Sequence, residues 1–186
     1  MRGCLVTLVL LVLVAALLAA VAYLQLAQTP TQAANGTPIP VSSAAARRFD
    51  QKLATASGAS GPVTSEIDEQ EATSRLVEAL ATKPNAPRLD NPQVAFRDGK
   101  VQLRGTTRDT PIPINVLVVG RVEARDGRLV TEVERIDTGR FPLPGPLKDQ
   151  IAEAATNVEQ LNRGLPLYVT DVRVLEGRLA VTGRPK

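Results

Sequence analysis

The fold is decided by the stretch Val94-Ala-Phe-Arg-Asp-Gly-Lys-Val-Gln-Leu-Arg-Gly105. Polar and apolar residues alternate from Lys100 to Arg104, and Asp98-Gly99 precedes this alternation. A period of two predicts β-strands, and an Asp-Gly pair between two strands predicts a tight hairpin turn. Similar patterns surround Asp126-Gly127 and Glu176-Gly177. The sequence therefore predicts three antiparallel hairpins.

The second hairpin contains the longest predicted strands. Its Val116 and Val118 alternate with Leu117 and Val119, so the middle of the strand is apolar on both faces. Such a strand is either covered on two sides or bent over an apolar interior. The three hairpins are expected to pair Val94–Arg97 with Lys100–Thr107, Ile112–Arg125 with Arg128–Asp137, and Leu167–Leu175 with Arg178–Thr182.

Helical periodicity marks two segments ahead of the hairpins. Ser42–Ser57 places apolar side chains on one helix face, and Val63–Ile67 after it favours a short strand. Asp68 then begins a second helix whose acidic first turn suits the helix dipole, and Pro84 stops it after Thr82. The buried face of this second helix is expected to contain Ala72, Leu76, Ala79 and Leu80.

The clearest amphipathic helix is expected from Pro146 to Arg163, with Gly164 as its C-terminal stop. Its apolar residues recur at spacings of 4, 3, 4 and 3, namely Leu147, Ile151, Ala154, Val158 and Leu161. Together the elements predict an α+β fold. In it, a strongly curved antiparallel sheet wraps around this long helix.

A membrane segment is expected at the N-terminus. Leu5–Leu24 is apolar apart from Thr7, and as a helix it would measure about 30 Å, which matches the hydrocarbon core of a bilayer. We therefore divide the chain into an anchor at 1–24, a flexible spacer at 25–41 and an α+β domain at 42–186.

Charge placement predicts the orientation of this anchor. Arg2 is the only charged side chain before Arg47, so the N-terminus is expected in the cytoplasm and the domain outside. The small residues Ala20-Val-Ala22 also resemble a signal-peptidase site. Cleavage there would secrete the domain instead of leaving it on a single-pass anchor.

Composition argues against most enzyme classes. The chain has no histidine and one cysteine, Cys4, so no catalytic residue, metal site or cofactor is predicted. Glu66, Asp68, Glu69 and Glu71 could supply paired carboxylates, but an acidic helix start explains them more simply. A net charge of +3 and 3% aromatic residues give no reason to expect nucleic acid as a partner.

Two further features bear on membranes. In the loop Thr138–Gly145, Phe141 and Leu143 either staple the following helix or guard the mouth of an apolar groove. Basic residues also flank the hairpin turns, where they either contact anionic lipid head groups or are solvated strand ends. These basic residues are Arg97, Lys100, Arg125, Arg128 and Arg178.

Four segments together resemble the LmeA-like phospholipid-binding family and the YpmS-like membrane-anchored proteins of bacteria. They are Ile67-Asp-Glu-Gln-Glu-Ala-Thr-Ser-Arg-Leu76, Val94–Gly105, Phe141-Pro-Leu-Pro-Gly-Pro-Leu147 and Val172–Arg184. The resemblance implies a half-barrel related to the tubular lipid-binding (TULIP) domains, where lipid chains lie between a long helix and a bent sheet. It implies no catalytic residues. The groove would be lined by the inward apolar positions Leu76, Leu80, Val116, Val118, Leu147, Ile151 and Val158.

Two hypotheses of function follow. In the first, a domain tethered to the bacterial cell membrane binds phospholipid or another acyl-chain lipid outside the cytoplasm, and lipid transfer within the envelope would extend this role. In the second, the domain is a non-catalytic module that scaffolds an envelope protein through a sheet edge or its Pro-rich loop. Membrane phospholipid is the partner in the first hypothesis and an envelope protein is the partner in the second.

Overall fold

Two helices and seven strands lie within residues 37–82, 88–108, 113–139, 145 and 167–186, which are the residues described by the computed structural model. All of them belong to the unit Thr31–Lys186. The predicted anchor at 1–24 and the predicted helix from Pro146 to Arg163 lie outside these residues. The elements are α1 Ser43–Ser57, β1 Val63–Asp68, α2 Glu69–Thr82, β2 Leu89–Arg97, β3 Lys100–Thr107, β4 Asn115–Arg125, β5 Arg128–Asp137, β6 Leu167–Leu175 and β7 Arg178–Pro185.

The three predicted hairpins are confirmed. Asp98-Gly99 and Asp126-Gly127 have positive φ at both residues, as a type I′ turn between twisted strands requires. In Glu176-Gly177 only the glycine has positive φ. The predicted start of β2 at Val94 is five residues too late, and the predicted end of β7 at Thr182 is three residues too early. The turns were recognisable because their chemistry is local, whereas strand ends depend on what each strand pairs with.

The fold is α+β with antiparallel strands, as predicted, but the strands form two sheets instead of one. The first sheet has the order β1-β7-β6, and the second has the order β2-β3-β4-β5. The division arises because β1 pairs along β7 from Val63 to Asp68, which gives the third hairpin a partner of its own. In the described ranges, no helix is both long and apolar enough to pass through a bilayer.

The two sheets meet at the hairpin turns. Val169 N–H of β6 donates to the Gly127 carbonyl in the β4–β5 turn at 3.0 Å. At the other end of β6, Gly177 N–H donates to the Phe96 carbonyl of β2, also at 3.0 Å. The β6–β7 hairpin is therefore hydrogen-bonded across the turn end of the second sheet.

Each register shift in the sheets has a glycine on the opposite strand. The shifts insert Asn91-Pro92 in β2 opposite Gly105, Glu134 in β5 opposite Gly120, and Thr170 in β6 opposite Gly183. A β-carbon on Gly120 would lie 2.7 Å from the Glu132 carbonyl oxygen, and one on Gly183 would lie 2.8 Å from that of Tyr168. Bulges bend strands, and these two glycines allow the backbones to approach at the bends.

Both helices begin as predicted. Ser42 caps α1 by accepting a hydrogen bond from Ala45 N–H at 3.2 Å. Asp68 caps α2 by accepting from Glu71 N–H at 2.7 Å, while Glu71 Oε2 accepts from Asp68 N–H at 3.1 Å. This reciprocal pair is a capping box. The Ser42 N–H also donates to Ser74 Oγ at 3.1 Å, which joins the start of α1 to α2.

The predicted buried face of α2 is wrong. Its fully buried residues are Glu71, Thr73 and Ser74, whereas the apolar residues named above are all half-buried. Apolar periodicity failed here because the helix is held by polar contacts. Thr73 Oγ1 accepts from Val94 N–H at 2.9 Å and donates to the Val94 carbonyl at 3.3 Å. Glu69 Oε1 accepts from Phe96 N–H at 2.8 Å, so α2 covers the outer edge of β2 in place of another strand.

The chain ahead of α1 also contacts this edge. Ile39 N–H donates to Gln93 Oε1 in β2 at 3.3 Å. Residues 37–42 carry no regular secondary structure, which agrees with a spacer, but Ile39 and Ser42 are hydrogen-bonded to the domain. The domain therefore begins to organise its chain before the predicted boundary at 42.

We expect Gly120→Ala to lower the free energy of unfolding by about 1–3 kcal/mol, because the added methyl group would collide with the Glu132 carbonyl. Urea denaturation followed by circular dichroism would measure the change. Gly61→Ala is the matched control: its β-carbon would have no atom within 4 Å, so the expected change is within about 0.5 kcal/mol. Equal effects of the two substitutions would contradict this account of the bend.

Candidate functional site

One face of the second sheet is apolar across all four strands. The register places side chains from β2, β3, β4 and β5 on the same face, and among these only Thr107 and Thr131 are polar. We call this surface the apolar face. Its large residues are Val94, Phe96, Val101, Leu103, Val116, Val118, Val122, Ala124, Leu129, Val133 and Ile136.

Most of the apolar face is only half-buried. Phe96 and Val116 are buried, with 2% and 3% of their surface exposed, but the other members are all of intermediate exposure. Val118, at the centre of β4, is one of the half-buried residues. A face that carries no charge and is incompletely covered can bind an apolar ligand without burying an unpaired charge.

The sequence-predicted lining residues divide into three groups. Val116 and Val118 lie on the apolar face, as their alternation indicated. Leu76 and Leu80 are half-buried on α2, which packs at the edge of β2 and so lies two strands away from β4. The remaining predictions fall outside the described residues, namely Phe141, Leu143, Leu147, Ile151 and Val158.

The apolar pattern within single strands did not predict that this face extends over all four strands. Val94, Val101, Leu103 and Ile136 join it through cross-strand pairing, and no single strand reveals that. One signal was available in the sequence: all three hairpins keep the same polar and apolar alternation up to their turns. Once the turns fix the registers, that alternation places the apolar positions of neighbouring strands on a common face.

The opposite face of the second sheet carries charged residues around the buried apolar residues Ala95, Leu117 and Val119. Lys100 and Arg121 lie side by side on β3 and β4, since their neighbours Val101 and Gly120 are paired. Both contact the inserted residue of the β5 bulge: Lys100 Nζ lies 2.6 Å from Glu134 Oε2, and Arg121 Nε lies 2.5 Å from Oε1. The hydrogen bond from Lys100, assisted by the charge of Arg121, lowers the pKa of Glu134 below its usual value.

The acidic residues around the start of α2 are engaged in structural contacts. Glu71 is 2% exposed in its side chain and accepts from Lys52 Nζ at 2.6 Å and from Arg48 Nε at 3.4 Å. Glu69 forms an ion pair with Arg97. These contacts support the simpler of the two interpretations given from sequence, in which the acidic cluster organises the helix start.

The other two acidic residues of this cluster are exposed. Asp68 caps α2, and Glu66 Oε2 accepts from Arg178 Nη1 at 3.1 Å. In the part of the chain that the structure describes, no group of three or more acidic or cysteine side chains is arranged to hold a metal ion.

Four of the five basic residues at the turns have acidic partners. Arg97 contacts Glu69 and Glu176, Lys100 contacts Glu134, Arg125 contacts Glu123, and Arg178 contacts Glu66. Arg128 is exposed and has no acidic partner within the described ranges. Most of these residues are therefore paired strand ends, as one of the two alternatives states. The β4–β5 turn differs because one of its arginines, Arg128, has no such partner in the described part of the chain.

We expect Glu71→Gln to lower the free energy of unfolding by about 1–3 kcal/mol. The amide keeps the volume of the side chain but loses the charge that receives Lys52 and Arg48. Thermal and urea denaturation would measure the loss. Glu66→Gln is the matched control, since its exposed pair with Arg178 should contribute less than about 1 kcal/mol. A larger loss from Glu66→Gln would show that burial of the carboxylate is not decisive.

The lowered pKa of Glu134 predicts a pH-dependent contribution to stability. A carboxyl with a lower pKa in the folded protein stabilises it above the unfolded value, near 4.5, and loses that contribution as pH falls through the folded pKa. Glu134→Gln should therefore lower the melting temperature at pH 7, and the difference from wild type should shrink with acidification below pH 4.5. Glu132→Gln, which removes an exposed carboxylate from the same strand, is the matched control and should lower the melting temperature at pH 7 less than Glu134→Gln does. A difference that stays constant with pH would overturn the assignment.

Comparison with protein families, curated proteins and solved structures gives no match for this chain. The resemblance to the LmeA-like family therefore rests on the four quoted segments alone and stays a prediction.

Proposed function

We propose that this chain is a membrane-tethered, extracytoplasmic protein of the bacterial envelope that binds phospholipid or another acyl-chain lipid. The observation that carries the proposal is the apolar face. It crosses four paired strands, contains no charged residue, and leaves most of its side chains half-buried. A surface of this kind matches a ligand whose bound part is hydrocarbon.

Burial of a hydrocarbon chain on the apolar face would release enough free energy for binding. Each methylene group that leaves water contributes about 0.8 kcal/mol. Six methylene groups laid along the apolar face would thus contribute about 5 kcal/mol before the cost of ordering the chain. A strand of the length of β4, Asn115–Arg125, spans about 35 Å, which exceeds the thickness of one leaflet's hydrocarbon layer, half of a core of about 30 Å.

The bends in the sheets support a more specific architecture. We propose a half-barrel of the tubular lipid-binding type, in which the predicted helix from Pro146 to Arg163 lies along the bent strands. The bulges opposite Gly105, Gly120 and Gly183 would supply the curvature. The predicted anchor at 1–24 would hold this groove near its source of lipid.

The scaffolding hypothesis has less support. It requires a sheet edge or a Pro-rich loop that is available to another protein. The edge of β2 is covered by Thr73 and Glu69 of α2, whose side chains use the backbone groups of Val94 and Phe96. The Pro-rich loop, 140–144, lies outside the described residues. The contacts of Thr73 and Glu69 do not cover the other outer strands, β1, β5 and β6. Lipid binding is the better-supported function because the apolar face favours it directly.

The test is lipid occupancy of residues 31–186, expressed in a bacterium and purified without detergent. Native mass spectrometry and extraction should detect bound phospholipid or fatty acid. Val118→Glu places a charge in the middle of the apolar face and should reduce occupancy at least about tenfold, since burying an unpaired charge costs several kcal/mol. Gln102→Glu adds the same charge on the opposite face and should leave occupancy unchanged. A wild-type protein without lipid, or equal losses in the two variants, would refute the proposal.

A further inference from the structure

The turns of the three hairpins differ in whether their charged side chains have partners of opposite charge. The β2–β3 and β6–β7 turns face each other: Asp98 N–H donates to Glu176 Oε1 at 2.9 Å, and Arg97 Nε lies 3.7 Å from Glu176 Oε2. Arg97 and Glu176 are thus used in joining the two sheets, while Lys100 and Arg178 pair with Glu134 and Glu66 inside their own sheets. These two turns therefore offer little net charge to an external partner.

The β4–β5 turn has a different environment. Arg128 is exposed and unpaired by any acidic side chain within the described residues. Arg125 is also exposed, and its contact with Glu123 is long, at 3.5 Å between Nη2 and Oε2. An exposed contact of this kind holds its partners weakly. Residues 125–128 thus carry two arginines against one carboxylate, Asp126, and Glu123 on β4 balances the remaining charge only through this weak contact.

An exposed aromatic ring lies against this turn. A β-carbon built on Gly127 would overlap Tyr168 Cε2, so the ring occupies the space that the glycine leaves. Tyr168 remains 40% exposed, and the guanidinium carbon of Arg184 lies 4.8 Å from its ring centre. Because Val169 N–H donates to the Gly127 carbonyl, the ring is fixed beside the turn.

We infer that Arg125, Arg128, Tyr168 and Arg184 form a surface that docks on an anionic phospholipid bilayer. We call it the arginine–tyrosine surface. Arginine side chains are attracted by anionic head groups, and tyrosine favours the head-group level, where its ring and hydroxyl meet different environments. The inference deepens the proposed function and rests on it, since it names the lipid charge and the end of the domain that meets the membrane.

This placement has a consequence for the apolar face. Ala124 and Leu129 are its last pair before the β4–β5 turn. Docking through the turn would bring that end of the face next to the bilayer surface. An acyl chain leaving the bilayer would then meet apolar side chains within a few residues of the head-group region.

The test uses the full chain reconstituted into vesicles of phosphatidylcholine, with and without phosphatidylglycerol. Cys4→Ser and Thr170→Cys place a single environment-sensitive fluorophore two residues from Tyr168. Spin-labelled lipids should quench it strongly only in the phosphatidylglycerol vesicles. Arg128→Gln with Arg184→Gln should lower the ratio of docked to undocked protein roughly tenfold, because each arginine near an anionic surface contributes several-fold to binding. Raised salt should produce a similar loss.

The matched control removes two other exposed arginines, Arg173→Gln with Arg178→Gln, which have the acidic partners Asp171 and Glu66. Quenching that persists in this control and is lost in the first variant supports the inference. Equal quenching in all variants, or equal losses in both, overturns it. Lipid occupancy of residues 31–186 is measured separately. Occupancy that survives a loss of docking leaves the proposed function standing, and docking without occupancy refutes that function alone.

Discussion

The arrangement of the first two helices depends on the ion pairs and the hydrogen bond that the buried Glu71 carboxylate accepts. This carboxylate receives Lys52 and Arg48 from α1 and the Asp68 N–H from the end of β1, and it belongs to α2 itself. A buried carboxylate that lost these partners would carry a large desolvation cost, so the three elements stay together. The contacts continue from α2 to β2 through Thr73 and to Arg97 through Glu69.

A second constraint shapes the sheets. Antiparallel strands bend sharply only where an extra residue is inserted and the partner backbone can approach. Gly105, Gly120 and Gly183 stand at these three places. The apolar face is therefore bent at defined positions, while the charged face opposite it carries Lys100, Arg121 and Glu134. Strand bulges and a face without charged residues are the two properties on which the proposal of a lipid ligand rests.

The sequence predicted the parts of this fold that depend on neighbouring residues. The three turns follow from the preference of Asp-Gly and Glu-Gly for tight turns, and the cap at Asp68 follows from its spacing to Glu71. The buried face of α2 could not be found by apolar periodicity, because Glu71, Thr73 and Ser74 are buried through polar partners distant in sequence. The separation into two sheets likewise depends on β1 pairing with β7, more than a hundred residues away. The width of the apolar face became visible only when the registers joined four strands.

The hydrogen bond from Ile39 N–H to Gln93 Oε1 attaches the chain ahead of α1 to the second sheet. If Leu5–Leu24 is a membrane anchor, as its length predicts, 14 residues, 25–38, separate it from this contact, and a chain of that length spans at most about 50 Å. Under the proposed function, a domain held within that distance would sample a thin layer of volume next to one membrane. Its encounter rate with lipid would then depend on geometry and not on protein concentration, as for an intramolecular reaction with a high effective concentration. Exchange with a second membrane would require that membrane to come within the same distance.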